Sequence, residues 1–172
     1  MENKRKEFSR IYDQYIDKIY RFVYIKVNSR EIAEDLSSDT FLRCWEKFRE
    51  NPNKIENPQA FLFQIARNLV TDHYREKGRT KIVSADFVSI IDPANNLEKI
   101  SQINSDFDNI KEALANLNDD YQDIVIWRYI DDLSIPEIAK ITNKTEGAVR
   151  VTLHRALTSL KNECNRLPYF SS

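Results

Sequence analysis

LSIPEIAKITNKTEGAVRVTLHRALTSLK, Leu133 to Lys161, is the stretch that decides the fold. Ser134-Ile135-Pro136-Glu137 has the spacing of a capping box: a serine N-cap and a glutamate three residues on. A short helix is predicted to follow, Glu137 to Ile141, and then a tight polar turn, Thr142-Asn143-Lys144-Thr145. A longer helix is predicted from Glu146 to about Glu163. Two short helices that cross steeply need a small residue at the crossing, and Ala139 supplies it. The turn needs a left-handed backbone, which Asn143 tolerates better than most residues. Val149 is the apolar anchor pointing back at the first helix. Gly is commoner at the position of Asn143, and an apolar residue at that of Lys144. The second helix is expected to bury Val149, Leu153, Ala156, Leu157 and Leu160. Together these features describe a helix-turn-helix.

In that motif the exposed face of the second helix enters the major groove. Thr145, Glu146, Ala148, Arg150, Val151 and Thr152 are the candidates for base contact, with Lys144 and Arg155 placed for phosphate. Arg can read a guanine edge with two hydrogen bonds, whereas phosphate contacts mainly set register. A helical hairpin without a DNA role would carry the same cap and anchor, so the motif needs support from the rest of the chain.

Working outward, Ile110, Ala113, Leu114 and Leu117 recur at helical spacing, and a helix is predicted from about Tyr121 to Ile130. Phe8 to Val27 reads as one amphipathic helix. Asn28 is read as the cap of the next, with Glu31 at the capping-box spacing, and that helix runs to about Phe48. A polar loop, Glu50 to Glu56, follows. Asn57-Pro58 then supplies an N-cap and a proline at the first helical position of a third helix, which is predicted to end near Lys77 with Gly78 as its stop. From Arg79 to about Asp106 the periodicity fails, although Ile82, Val83, Phe87, Val88, Ile90 and Ile91 are apolar. The expected fold class is therefore all-α: two small helical domains, 1–78 and 108–168, joined by a flexible linker, 79–107, with the helix-turn-helix in the second. Only 2 Gly and 5 Pro in 172 residues argue against folds built on many tight turns.

The formal net charge is −1, which does not describe a general nucleic-acid binder. The charges are segregated, however. Five basic residues face two acidic ones from Ala60 to Lys81, and six face three from Ser134 to Arg166. Between the two basic segments, Asp119, Asp120, Asp123, Asp131 and Asp132 stand against Arg128. Two local polyanion contacts are one reading, and solvated helix faces are the other. The acidic stretch is expected to hold the helix-turn-helix off DNA. Cys44 and Cys164 lie in no Cys/His cluster, so neither a zinc site nor a disulfide framework is indicated, and no cofactor is expected. MENKRKEF at the N-terminus has no apolar core and no apolar run approaches ~20 residues. A cytoplasmic protein with no membrane insertion is the expectation.

The motif LSIPEIAKITNKTEGAVRVTLHRALTSLK resembles the C-terminal DNA-binding module of sigma-70-like factors, whose usual form is L-S-x-x-E-I-A followed by G-T/A-V-x-x-x-L-x-R-A. Two further stretches resemble the same family in the same order. AEDLSSDTFLRCWEKF, Ala33 to Phe48, is similar to the helix that grips the clamp helices of the polymerase largest subunit. NPQAFLFQIARNLVTDHYREKGR, Asn57 to Arg79, is similar to the helix that melts and reads the −10 element. The two-domain layout is similar to the extracytoplasmic-function group. The resemblance implies polymerase-binding roles for Asp35, Leu36, Asp39, Thr40 and Trp45. It implies −10 DNA roles for Lys54, Phe61, Arg67, Asn68, Asp72, His73 and Arg75, the loop around Lys54 being the family's base-capturing loop, and −35 roles for the second helix of the motif. Phe61 departs from the tryptophan common in the family, which leaves packing in place and puts stacking in doubt. Core RNA polymerase (clamp helices and flap), promoter DNA and an anti-sigma factor are the implied partners.

The residues themselves agree. Carboxylates and aromatics along Asp35 to Trp45 suit a docking surface, though part of that set, Phe41 in particular, reads as core. Arg67, Asn68, Asp72, His73 and Arg75 form a hydrogen-bonding face suited to a single strand. A stand-alone helix-turn-helix regulator would explain Ser134 to Leu160 and leave the first half without a task. A nuclease would need a paired-carboxylate metal site, and Asp35 with Asp39 at i, i+4 is better explained by docking. No catalytic residue is expected. The linker's apolar cluster has two readings, a path toward the polymerase active centre or packing between the domains.

Overall fold

The computed structural model describes residues 1–77, 110 and 112–167. The expected linker and Gly78 lie outside the described residues. Helix α1, Glu2–Val27, begins six residues earlier than the apolar pattern suggests. It ends at Asn28, whose φ of 53° is left-handed. Asn28 therefore closes α1 and does not open α2; Ser29 is the N-cap of α2, Arg30–Glu50, and accepts from the Ile32 N–H. A 3-10 turn, Pro52–Lys54, leads to α3, Pro58–Lys77. The Asn57 side chain caps α3 by accepting from the Ala60 N–H at 2.9 Å.

After a helical stretch at 112–115, α4, Asp119–Val125, runs directly into a π-helical turn, Ile126–Ile130. Six consecutive residues here, Gln122 to Trp127, are buried, so this helix is enclosed and not laid on a surface. Helices α5, Ile135–Thr142, and α6, Glu146–Arg166, form the helix-turn-helix. Both arms of the Ser134–Glu137 capping box are made. Asn143 adopts φ 55° at the turn. Ala139 and Val149 are buried at the crossing. In α6 the expected apolar set is only partly core: Val149 and Ala156 are buried, Leu153 and Leu160 half-buried, and Leu157 exposed. No strand occurs among the described residues.

The two halves share one hydrophobic cluster. Trp127 lies against Phe22 of α1, with ring centroids 5.6 Å apart, and edge-on to Phe63 of α3 at 6.0 Å. Around this aromatic centre run polar ties. Buried Lys26 donates to the side-chain Oε1 of Gln122 and sits 2.8 Å from Asp123 Oδ1. The Gln122 amide in turn donates to the Leu114, Ala115 and Leu117 carbonyls. Tyr74 donates to the Lys26 carbonyl, which fixes α3 against the end of α1. Arg21 pairs with Asp131 at 2.8 Å.

Candidate nucleic-acid and polymerase interface

Three surfaces carry the predicted residues. On α2, Asp35 and Asp39 are exposed one turn apart, with Leu36 half-buried beside them. Thr40 does not belong to this surface: it is fully buried, and its hydroxyl donates to the Leu36 carbonyl at 2.7 Å. A short β-branched side chain that satisfies its own polar atom against the preceding turn packs inward at no hydrogen-bond cost. Phe41 is core, as expected. Trp45 is half-buried, 5.2 Å from Phe8, and borders a cleft of about 380 Å³ with Arg5, Tyr12 and Arg49. Leu42, absent from the predicted set, is 53% exposed on the same helix. Its i+3 spacing from Asp39 was the available signal.

On α3, Asn68, Asp72 and Arg75 are exposed along one stripe. His73 is half-buried beside the Tyr74 ring. Arg67 is also half-buried, its guanidinium 6.0 Å from the centre of the Trp127 ring. Lys54, exposed on the 3-10 turn, and half-buried Phe61 border a cleft of about 410 Å³ whose other wall includes Lys140 and Asn143 of the helix-turn-helix.

On α6, Glu146, Arg150, Val151 and Arg155 are exposed, as are Lys144 and Thr145 before it. Thr145 is the N-cap and accepts from the Ala148 N–H, so its hydroxyl oxygen is partly committed. Thr152 is half-buried and donates to the Ala148 carbonyl. Ala148 is half-buried too. Glu146 and Arg150 approach to 3.8 Å, both exposed, an interaction worth little in water. Exposed His154, one turn beyond Arg150, shares this surface and was missed.

The acidic stretch divides: Asp120 and Asp132 are exposed and Asp119 is half-buried. Asp123 and Asp131 are buried, each against a cation of α1. Burial pushes the Asp131 carboxyl up to about 6, outweighing the hydrogen bond and charge of Arg21. Asp123 is raised for the same reason, against the pull of Lys26. Glu137 goes the other way: burial alone would raise it, but hydrogen bonds from Ser134 and Gln59 hold it below its ordinary value. Burial pushes the Cys44 thiol up to about 12, so it is an inert core residue. Among the described residues, no group of three His, Cys, Asp or Glu is placed to hold a metal ion, and no helix is long and apolar enough to cross a membrane.

An enclosed helical core that presents a capped helix-turn-helix with an exposed basic second helix is the architecture of a DNA-binding transcription protein. The sequence families narrow this further. Residues 107–160 match the family described as Sigma-70, region 4, and residues 11–80 match Sigma-70 region 2. The chain is similar to the extracytoplasmic-function (ECF) RNA polymerase sigma factor BldN of Streptomyces coelicolor, 34% identical over 89% of this chain and 58% of that protein. It is similar to SigW of Bacillus subtilis, 28% identical over 93% of this chain and 90% of SigW. The chain thus spans little more than half the length of BldN and nearly all of SigW. Among solved structures, it resembles the sigma factor RpoE in complex with the anti-sigma factor NepR from Bartonella quintana, with a TM-score of 0.66, 22% identity, and 92% and 96% of the two chains covered. It also resembles CnrH in complex with the cytosolic domain of CnrY, with a TM-score of 0.57, 18% identity, and 92% and 87% covered. The chain belongs to the sigma-70 family, in its ECF group.

Proposed function

We propose that the chain binds core RNA polymerase and directs it to promoters, α2 docking on the polymerase, α3 with the Lys54 turn holding the opened −10 strand, and α6 reading −35 duplex. The observation that carries this reading is that two family regions flank one another on a single chain, one with an exposed acidic helix face and the other with an exposed basic recognition helix. Neither half offers enough contact for tight binding alone. Two weak sites gain when a third body fixes their separation, through effective concentration. Strand opening needs no chemical step of the chain's own; trapping unpaired bases drives it.

An anti-sigma protein is a further proposed partner, supported by the neighbours solved with NepR and CnrY. A stand-alone regulator is not favoured, because the matches cover both halves. The test is co-elution with purified bacterial core polymerase. Wild type is expected to co-elute, and Asp35→Lys/Asp39→Lys to lose at least tenfold in affinity while keeping its helical spectrum. Wild-type protein that stays apart from core polymerase would overturn the reading.

A further inference from the structure

We propose that Gly147 sets how deeply α6 enters the −35 duplex: with no Cβ there, the first turn of the recognition helix seats against the DNA and brings Arg150 and Val151 within reach of the bases. This rests on the promoter-directing reading above and adds a positioning residue to it.

Glycine at this place has no cause inside the chain. The sequence holds only 2 glycines, Gly78 and Gly147. A glycine within a helix costs stability relative to alanine, because it loses more backbone freedom on folding. Two structural needs commonly outweigh that cost, a left-handed backbone or a neighbour too close for a Cβ. Gly147 meets neither. It is the second residue of α6 and lies in right-handed helix. Apart from the adjoining residues and the backbone of its own helix, no atom lies within 4 Å of where its Cβ would stand. Among the described residues, the left-handed positions are held by Asn28, Asp132 and Asn143. The chain thus places asparagine and aspartate where the backbone turns left-handed, and a glycine where it does not.

The empty space over Gly147 lies on the surface assigned to −35 DNA. Exposed Lys144 and Thr145 precede it, and exposed Arg150 and Val151 follow at i+3 and i+4, on the same helix face. Helical side chains lean toward the N-terminus, so Arg150 and Val151 project over the turn that Gly147 occupies. Val151, apolar and 49% exposed, offers a contact that a thymine methyl in the major groove matches. In a helix-turn-helix the N-terminal residues of the second helix meet the base edges, so this end of α6 makes the closest approach. Thr145 accepts from the Ala148 N–H and fixes the backbone of this first turn. The cap holds the turn in shape and the glycine keeps its outer side clear. Any side chain at 147 stands between helix and groove and lifts both base-reading residues away.

Competition binding by core polymerase loaded with wild type, Gly147→Ala or Gly147→Leu, over a series of −35 sequences, tests this together with urea unfolding of the free chains. Both substitutions enter open space with better helix formers, so both chains are expected to unfold at or above the wild-type midpoint. Gly147→Ala polymerase is expected to lose roughly tenfold in affinity for its best −35 duplex, and Gly147→Leu more. The ratio of affinities between the best sequence and its single-base variants is expected to shrink about fivefold, a loss that weakened folding does not produce. Co-elution with core polymerase is expected to match wild type. Gly147→Ala polymerase that binds as tightly and selectively as wild type overturns the inference. So does a fall in affinity with discrimination unchanged, or a Gly147→Ala chain that unfolds at lower urea, since the glycine then serves the fold. Wild-type polymerase without any −35 preference brings down the promoter-directing reading, and the role of Gly147 with it.

Discussion

Asp131 is the residue whose position says most. Its carboxylate is buried against Arg21, yet burial outweighs the partner and raises its pKa to about 6. A carboxyl whose pKa is raised on folding binds its proton more readily in the folded state. Its contribution to stability is therefore greatest below its unfolded value near 3.8 and is lost as pH rises toward 6. Asp131→Asn removes this dependence. In urea titrations from pH 4 to 7, wild type is expected to gain stability relative to Asp131→Asn as pH falls; a constant difference would refute the burial argument. Local signals at this scale were legible. Ser134 and Asn143 could be placed from spacing alone, because caps and left-handed turns are satisfied within four residues. Ser134→Ala is expected to cost about 1 kcal/mol by chemical denaturation. The partner of Asp131 was not legible, since Arg21 lies 110 positions away and no local pattern records it.

At the scale of elements, α5 and α6 followed from the pattern of caps and apolar anchors, and α1 to α3 from helical periodicity. Boundaries slipped where two caps adjoin: Asn28 and Ser29 are both good capping residues, and only geometry assigns the first to the end of α1. Thr40 came with the resemblance, but consecutive helix residues do not share a face, and next to exposed Asp39 its side chain turns inward to the Leu36 carbonyl. The π-turn left no mark, since the five residues IWRYI are too short a run to show a change of period. Predictions for α6 divide by contact type. Arg150→Ala is expected to cost about 1–3 kcal/mol at one promoter position and relax specificity there. Arg155→Ala is expected to weaken binding evenly across sequences and lower the salt slope by about one. Competition binding of polymerase loaded with each variant, over a series of −35 sequences and salt concentrations, separates the two. Equal effects from both would remove the assignment of Arg150 to base reading.

For the whole molecule, one hydrophobic cluster joining both halves makes them a single cooperative unit. Calorimetry of the free chain is expected to give one transition, whereas Trp127→Ala, which empties the shared aromatic site, is expected to split or broaden it. Two clean transitions in wild type would contradict a shared core. The two-domain plan was legible from composition and motif order. Their mutual packing was not, because it depends on pairings such as Lys26 with Asp123 and Phe22 with Trp127 that join distant segments. The acidic stretch shows the difference: as sequence it reads as one acidic run, and in the fold two of its carboxylates are interior ties.

The most direct test of the central claim is run-off transcription by purified bacterial core polymerase on a library of promoter fragments, with and without this chain. Specific transcripts that appear only when the chain is added, sharing −35 and −10 sequences, are the predicted result. The contradicting result is no chain-dependent transcript, while the chain alone shifts a defined duplex site.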